Sequence, residues 1–144
     1  MNRAATTCAA LALLASACGA SYEATGRGRT APGADAVIEV DTIDGDNRRV
    51  EVDIQHLLPP GRVTDGATVY SVWIVPQGSP PILAGTLDYD EDDRTGQLTA
   101  TTPHHVFEVR VTAESDPRTA APSGDTVLLR AIDSERSPRV IDSE

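Results

Sequence analysis

Apolar and polar residues alternate with a period of two along most of the chain after residue 35. The clearest run covers residues 48–58, in which valine and isoleucine alternate with charged or amide side chains. One face of this run carries Val50, Val52 and Ile54, and the other carries Glu51, Asp53 and Gln55. Alternation of this kind is typical of a strand that is buried on one face only.

The pattern predicts an all-β fold. Gly, Pro, Asp and Asn separate the alternating runs at near-regular intervals, and no stretch has the spacing of a convincing helix. We therefore expect a single immunoglobulin-like β-sandwich of seven to eight strands over residues 36–132. The predicted strands are 37–41, 48–58, 67–75, 82–89, 98–102, 105–112 and 126–132.

Two of these runs carry more specific expectations. Residues 67–75 are apolar on both faces, which predicts a central strand with Trp73 as a buried residue rather than a binding platform. In residues 105–112, Phe107, Val109 and Val111 should face the core, whereas Glu108, Arg110 and Thr112 should face outward.

The first 17 residues have the three-part layout of a secretory signal peptide: one Arg, a short run rich in Ala and Leu, and then small residues. The segment Leu14-Ala15-Ser16-Ala17-Cys18 resembles a bacterial lipobox, with Ala15 where that family prefers Leu. The resemblance implies cleavage before Cys18 and attachment of lipid to its thiol. Gly19, not Asp, follows the cysteine, which favours the outer membrane of the cell envelope. Cleavage at a nearby Ala, giving a secreted or periplasmic protein, is the alternative.

The segments on either side of the predicted sandwich have no apolar period. Residues 18–35 are rich in Gly, Ala, Ser, Thr and Pro, so we expect Cys18 to be followed by a flexible tether. Residues 133–144 are polar and predict a disordered tail.

Composition excludes several classes of function. The 144-residue chain has a formal net charge of −10, and all 12 of its Lys and Arg positions are Arg. Nucleic-acid binding needs a basic face, so none is expected. The two cysteines, Cys8 and Cys18, both lie in the first 18 residues, which excludes a disulfide framework or a cysteine zinc site in the domain.

The richest cluster of candidate ligands is the acidic turn after residue 87. Asp88, Asp90 and Asp92 offer alternate oxygens of the type that Ca²⁺ prefers, with possible help from Asp41, Asp44 or Asp46. The alternative, which we favour, is a solvated hairpin whose like charges protect a sheet edge. No metal or cofactor is therefore predicted.

Histidine and serine give no catalytic pattern. His104 and His105 are adjacent and should point to opposite faces of a strand, and His56 is distant in sequence. No Gly-x-Ser-x-Gly motif or phosphate-binding glycine loop is present. We predict that the protein is not an enzyme.

Four segments resemble, in order and spacing, the extracytoplasmic C-terminal domain of anti-sigma-K-type factors: residues 69–76, 85–87, 107–114 and 122–128. The resemblance implies a small sandwich that binds or senses outside the cytoplasmic membrane. The family's regulatory activity is not implied, because the chain lacks its sigma-binding helices, zinc motif and transmembrane helix.

The sequence thus predicts an envelope-anchored lipoprotein that acts as a non-enzymatic binding or interaction module. Its partners would be the membrane, through the lipid, and an envelope protein that meets an edge strand or a loop end. The alternative is an extracytoplasmic domain that senses a ligand or cation and works with a separate membrane signalling protein.

Overall fold

A computed structural model describes residues 19–26 and 33–135 of the chain. This part contains nine strands, a 3-10 turn at Asp44–Asp46 and a one-turn helix α1 at Pro60–Val63. The strands are β1 Gly19–Thr25, β2 Asp35–Ile43, β3 Asn47–Gln55, β4 Val69–Pro76, β5 Ile82–Thr86, β6 Asp88–Asp90, β7 Thr95–Thr102, β8 Val106–Glu114 and β9 Thr126–Asp133.

The strands form two antiparallel sheets that pack face to face. The five-stranded sheet has the order β1-β2-β3-β7-β6, and the four-stranded sheet has the order β5-β4-β8-β9. When β1 and the edge strand β5 are set aside, the remaining seven strands have the immunoglobulin arrangement, in which the first, second, fifth and fourth strands face the third, sixth and seventh. The predicted all-β sandwich is confirmed.

The core lies between the two sheets and follows the alternation in the sequence. In β3, the predicted inward residues Val50, Val52 and Ile54 are at most 3% exposed. The predicted inward face of β8 is also buried, since Phe107, Val109 and Val111 are at most 3% exposed. β4 lies between β5 and β8, as its two apolar faces predict.

The predicted strand 82–89 is two strands, because the chain changes sheets within it. β5 belongs to the four-stranded sheet and β6 to the five-stranded sheet, with buried Leu87 between them. Leu87 is held at the crossing by a 2.9 Å hydrogen bond from its amide to the carbonyl of Tyr70. The crossing follows Gly85, whose φ of +154° is one that other residues rarely adopt.

The segment between β3 and β4, which the sequence predicts as a loop, is fixed by two tyrosines. Tyr70 donates a hydrogen bond to the carbonyl of Leu58, and Tyr89 donates one of 2.7 Å to Leu57. The two rings meet edge to face, with centroids 5.5 Å apart. Burial raises the pKa of the Tyr70 hydroxyl, so this group stays a neutral donor at physiological pH.

The prediction of a flexible tether over residues 18–35 is wrong for residues 19–25. These residues form β1, which pairs with β2 from Gly19 opposite Asp41 to Thr25 opposite Asp35. The large aromatic side chain of β1 is that of Tyr22, and its hydroxyl donates to the carbonyl of Asp133 at 2.9 Å. The remaining residues of β1 are small or polar, so its composition looks like that of a linker. Cys18 and residues 27–32 lie outside the described residues.

The start of the predicted disordered tail is likewise ordered. Asp133 ends β9, and the Ser134 amide donates to the carbonyl of His105 at 2.9 Å. Residues 136–144 lie outside the described part of the chain. Within residues 19–26 and 33–135, the structure contains no helix long and apolar enough to cross a membrane.

Replacing Ile38 by Ala should test the two-sheet core. Ile38 is 0% exposed, whereas its neighbour Val37 is 41% exposed on the opposite face of β2. We expect Ile38→Ala to lower the free energy of unfolding by about 2–5 kcal/mol, and Val37→Ala to change it by about 0.5 kcal/mol or less. Urea unfolding of both variants measures the difference, and equal losses would contradict the assignment of faces.

Candidate binding surface

The outer face of the five-stranded sheet carries a concave surface. Strands β2, β3 and β7 form an open groove of about 460 Å³ whose lining includes Val37, Asp35, Glu39, Glu51 and Asp53. We call this the acidic groove. Val37 is an exposed apolar residue surrounded by carboxylates, and it lies directly opposite Asp53 in the sheet register.

The charges of the acidic groove are only partly balanced. Glu39 lies directly opposite Glu51, and like charges in such a pair destabilise a sheet. Arg49 contacts Glu51 at 3.3 Å, but its shorter contact, 2.7 Å, is with Asp41 beyond the groove. Gln97 donates to Asp53 at 3.1 Å. The groove therefore offers carboxylate oxygens to a cationic ligand.

A second groove runs between the sheets, beside the edge strand β5. It has a volume of about 320 Å³, and its lining combines apolar residues, among them Ile74, Ile82 and Leu83, with the polar residues Thr101, Thr102 and His104. Ile82 is 50% exposed. Since β5 pairs only with β4, its other edge has backbone groups that could pair with an added strand.

A buried polar chain lies on the outer face of the four-stranded sheet. Trp73 donates from its indole nitrogen to the Thr112 hydroxyl at 2.9 Å, and Thr112 donates to Glu114 at 2.7 Å. All three residues are at most 2% exposed. Trp73 is thus buried as predicted, but on the side of β4 opposite the main core. Thr112 faces outward as predicted, yet it is covered.

The Glu114 carboxylate holds the loop between β8 and β9 against the sheet. It accepts hydrogen bonds from the Ser123 amide at 2.9 Å, the Ser123 hydroxyl at 2.5 Å and the Gly124 amide at 3.3 Å. These donors and Thr112 are neutral groups. Burial raises the pKa of Glu114, but the hydrogen bonds from Ser123, Thr112 and Gly124 outweigh burial and lower the pKa below its ordinary value.

The Asp88, Asp90 and Asp92 cluster is a turn at a sheet edge. Asp88 and Asp90 are exposed on β6, an edge strand of the five-stranded sheet. The Asp90 carboxylate accepts from the amides of Asp92 at 2.9 Å and Asp93 at 3.1 Å, which closes the turn. In the described residues, no group of three or more His, Cys, Asp or Glu side chains could hold a metal ion.

The expectation that Asp41, Asp44 or Asp46 could join this cluster is wrong. Asp90 pairs with Thr95 at one end of β7, whereas Arg48, two residues after Asp46, pairs with Thr102 at the other end. The seven-residue separation along β7 corresponds to about 23 Å. Sequence alone could not give this result, because it depends on which strands are neighbours.

The three histidines do not converge. His56 lies 3.3 Å from Asp35, and His104 lines the groove beside β5. His105 lies at the other end of the sandwich from His56, with its ring nitrogens 3.2 Å from Asp46 and 3.4 Å from Glu135. The contact of His105 with Asp46 links the two sheets, and the three histidines do not form a chelating group.

Arg48 is the residue of this region that sequence reasoning missed. It is only 7% exposed and contacts Asp46 at 3.2 Å and the Ser134 hydroxyl at 3.0 Å. Arg48 is two residues before Val50, so the alternation already placed it on the inward face. We call Asp46, Arg48, His105, Ser134 and Glu135 the polar bracket.

Comparison with protein-family models, with curated proteins and with solved structures finds no match to this chain. The resemblances to a lipobox and to the anti-sigma-K-type domain therefore rest on the residues that carry them in the sequence. Cys18, the predicted lipid-attachment residue, lies outside the described residues.

Glu114→Gln should destabilise the protein in a pH-dependent way. We expect a loss of about 1–3 kcal/mol at neutral pH, because the amide group cannot accept all the hydrogen bonds of the carboxylate. The lowered pKa of folded Glu114 means that its charge stabilises the fold above the ordinary glutamate pKa of 4.5. This contribution is lost as the pH falls through the lowered pKa. Urea unfolding at several pH values measures this contribution. A difference in the free energy of unfolding between variant and wild type that does not narrow in acid would contradict this account.

Gly124→Ala should loosen the same loop by a steric route. A Cβ at Gly124 would lie 1.6 Å from the carbonyl oxygen of Ala113, so the backbone has to move apart. We expect a loss of about 1–3 kcal/mol. Gly61→Ala is the matched control, since its Cβ would lie at an ordinary 3.4 Å from the nearest atom. Equal stability of the two variants in thermal unfolding would show that the loop does not pack closely on β8.

Proposed function

We propose that this protein is an envelope-anchored lipoprotein that binds a partner without catalysing a reaction, and that the acidic groove is its binding surface. The acidic groove is the observation that carries the proposal. It combines a concave surface, an exposed apolar residue at Val37 and flanking carboxylates. The leader pattern ending at Cys18 supports the lipid anchor and the envelope location.

The charges of the groove indicate the chemistry of the partner. Glu39 and Glu51 repel each other across the sheet, so a guanidinium or ammonium group placed between them would relieve that repulsion. Val37 would meet an apolar side chain of the same partner. We therefore infer an extended protein segment in which basic and apolar residues alternate, matching the period of the strands beneath.

Binding of a short peptide tests the proposal directly. The probe is a labelled peptide of alternating Arg and Val, titrated with the mature chain while fluorescence anisotropy is recorded. We expect saturable binding that weakens when the salt concentration rises from about 50 to about 300 mM, because exposed charges are then screened. A peptide with Glu in place of Arg should not bind.

Two double variants separate groove binding from general attraction to an acidic chain. Glu39→Gln/Glu51→Gln removes two charges from the groove and should weaken binding about tenfold, or 1.4 kcal/mol. Asp92→Asn/Asp93→Asn removes the same charge from the exposed turn after β6 and should leave affinity unchanged. Equal loss in both variants, or no binding by the wild type, would overturn the groove as the binding surface.

A further inference from the structure

We propose that one end of the sandwich rests directly on the lipid surface, without a flexible spacer. This membrane-facing end comprises the start of β1, the turn at Asp44–Asp46 and the polar bracket. The inference rests on the proposed lipid attachment at Cys18 and adds to it a fixed orientation of the domain.

β1 begins at the residue that follows Cys18. Gly19, its first residue, is bonded to Cys18, and consecutive Cα atoms are about 3.8 Å apart. From Gly19 onward the backbone is held in register with β2, beginning at the pair Gly19 and Asp41. The acyl chains on Cys18 would thus be joined to a sheet, with no intervening residues to act as a hinge.

The register defines which end of the domain is brought to the membrane. Asp41 is near the end of β2, immediately before the turn that leads to β3. The polar bracket places the four-stranded sheet at the same end, because Arg48 donates to Ser134 and His105 contacts Asp46. Both sheets therefore contribute to the surface that surrounds the attachment point.

Several carboxylates at this end are paired, whereas Asp44 is exposed on the turn. Asp41 is paired with Arg49, and Asp46 is paired with Arg48 and approached by His105. The acidic groove extends away from this end, toward Asp35, which is six residues from Asp41 along β2 and about 20 Å distant. Asp35 would thus lie farthest from the lipid, whereas Glu39 is two residues, about 7 Å, from Asp41 along β2. The groove would be open to a partner from the side.

Two matched reporters measure the orientation. Asp44→Cys and Asp92→Cys place a fluorophore on exposed turns beyond opposite ends of β7, and those ends are about 23 Å apart. The acylated protein is purified from membranes and reconstituted in phosphatidylglycerol and phosphatidylcholine vesicles that contain a lipid with a headgroup quencher. We expect quenching at position 44 to exceed quenching at position 92 by about threefold or more, given that separation.

A spacer variant is the control. Insertion of about twelve Gly and Ser residues between Cys18 and Gly19 gives a reach of about 19 Å and should bring the two quenching values close together. Equal quenching at both positions in the protein without the spacer would overturn the fixed orientation. Intact mass of the same samples separates the two proposals: an acylated chain with equal quenching overturns the orientation alone, whereas a chain without acyl groups overturns the lipid attachment as well.

Discussion

Burial of one face of each sheet against the other is the constraint on which the rest of the structure depends. It requires most inward residues of β2, β3 and β8 to be apolar, and it leaves the outward residues free of that requirement. On the five-stranded sheet those outward positions carry Val37 and the carboxylates of the acidic groove. On the four-stranded sheet they carry the buried chain of Trp73, Thr112 and Glu114.

The two outer faces therefore differ in their physical roles. The carboxylates of the acidic groove are exposed or half-buried, and Glu39 lies directly opposite Glu51, so we propose this face for binding a cation-bearing segment. Glu114 is 2% exposed and accepts hydrogen bonds from Ser123 and Gly124 in the loop that follows β8. A buried carboxylate whose donors are neutral groups stabilises a structure only when its hydrogen bonds are intact. We therefore assign Glu114 to loop closure and not to binding.

Local patterns predicted the features that depend on local sequence. Alternation predicted the strands, their buried faces and the sandwich. The burial of Arg48 was missed, although its position two residues before Val50 is on the inward face. Alternation could not reveal β1, because an edge strand with one large inward residue, Tyr22, has the composition of a linker. Nor could it reveal the acidic groove or the separation of Asp46 from Asp90, since both depend on which strands become neighbours. Alternation also could not predict the burial of Thr112, because this burial depends on contacts made outside the main core.

An ordered strand begins immediately after Cys18, so a lipid attached there, as we propose, would be joined directly to the sheet. Amide hydrogen exchange of the mature chain tests this claim most directly. Because β1 pairs with β2 over its whole length, we predict that its hydrogen-bonded amides exchange far more slowly than those of an unstructured peptide of the same sequence. Exchange of all amides from Gly19 to Thr25 at the unprotected rate would contradict the account and restore a flexible tether.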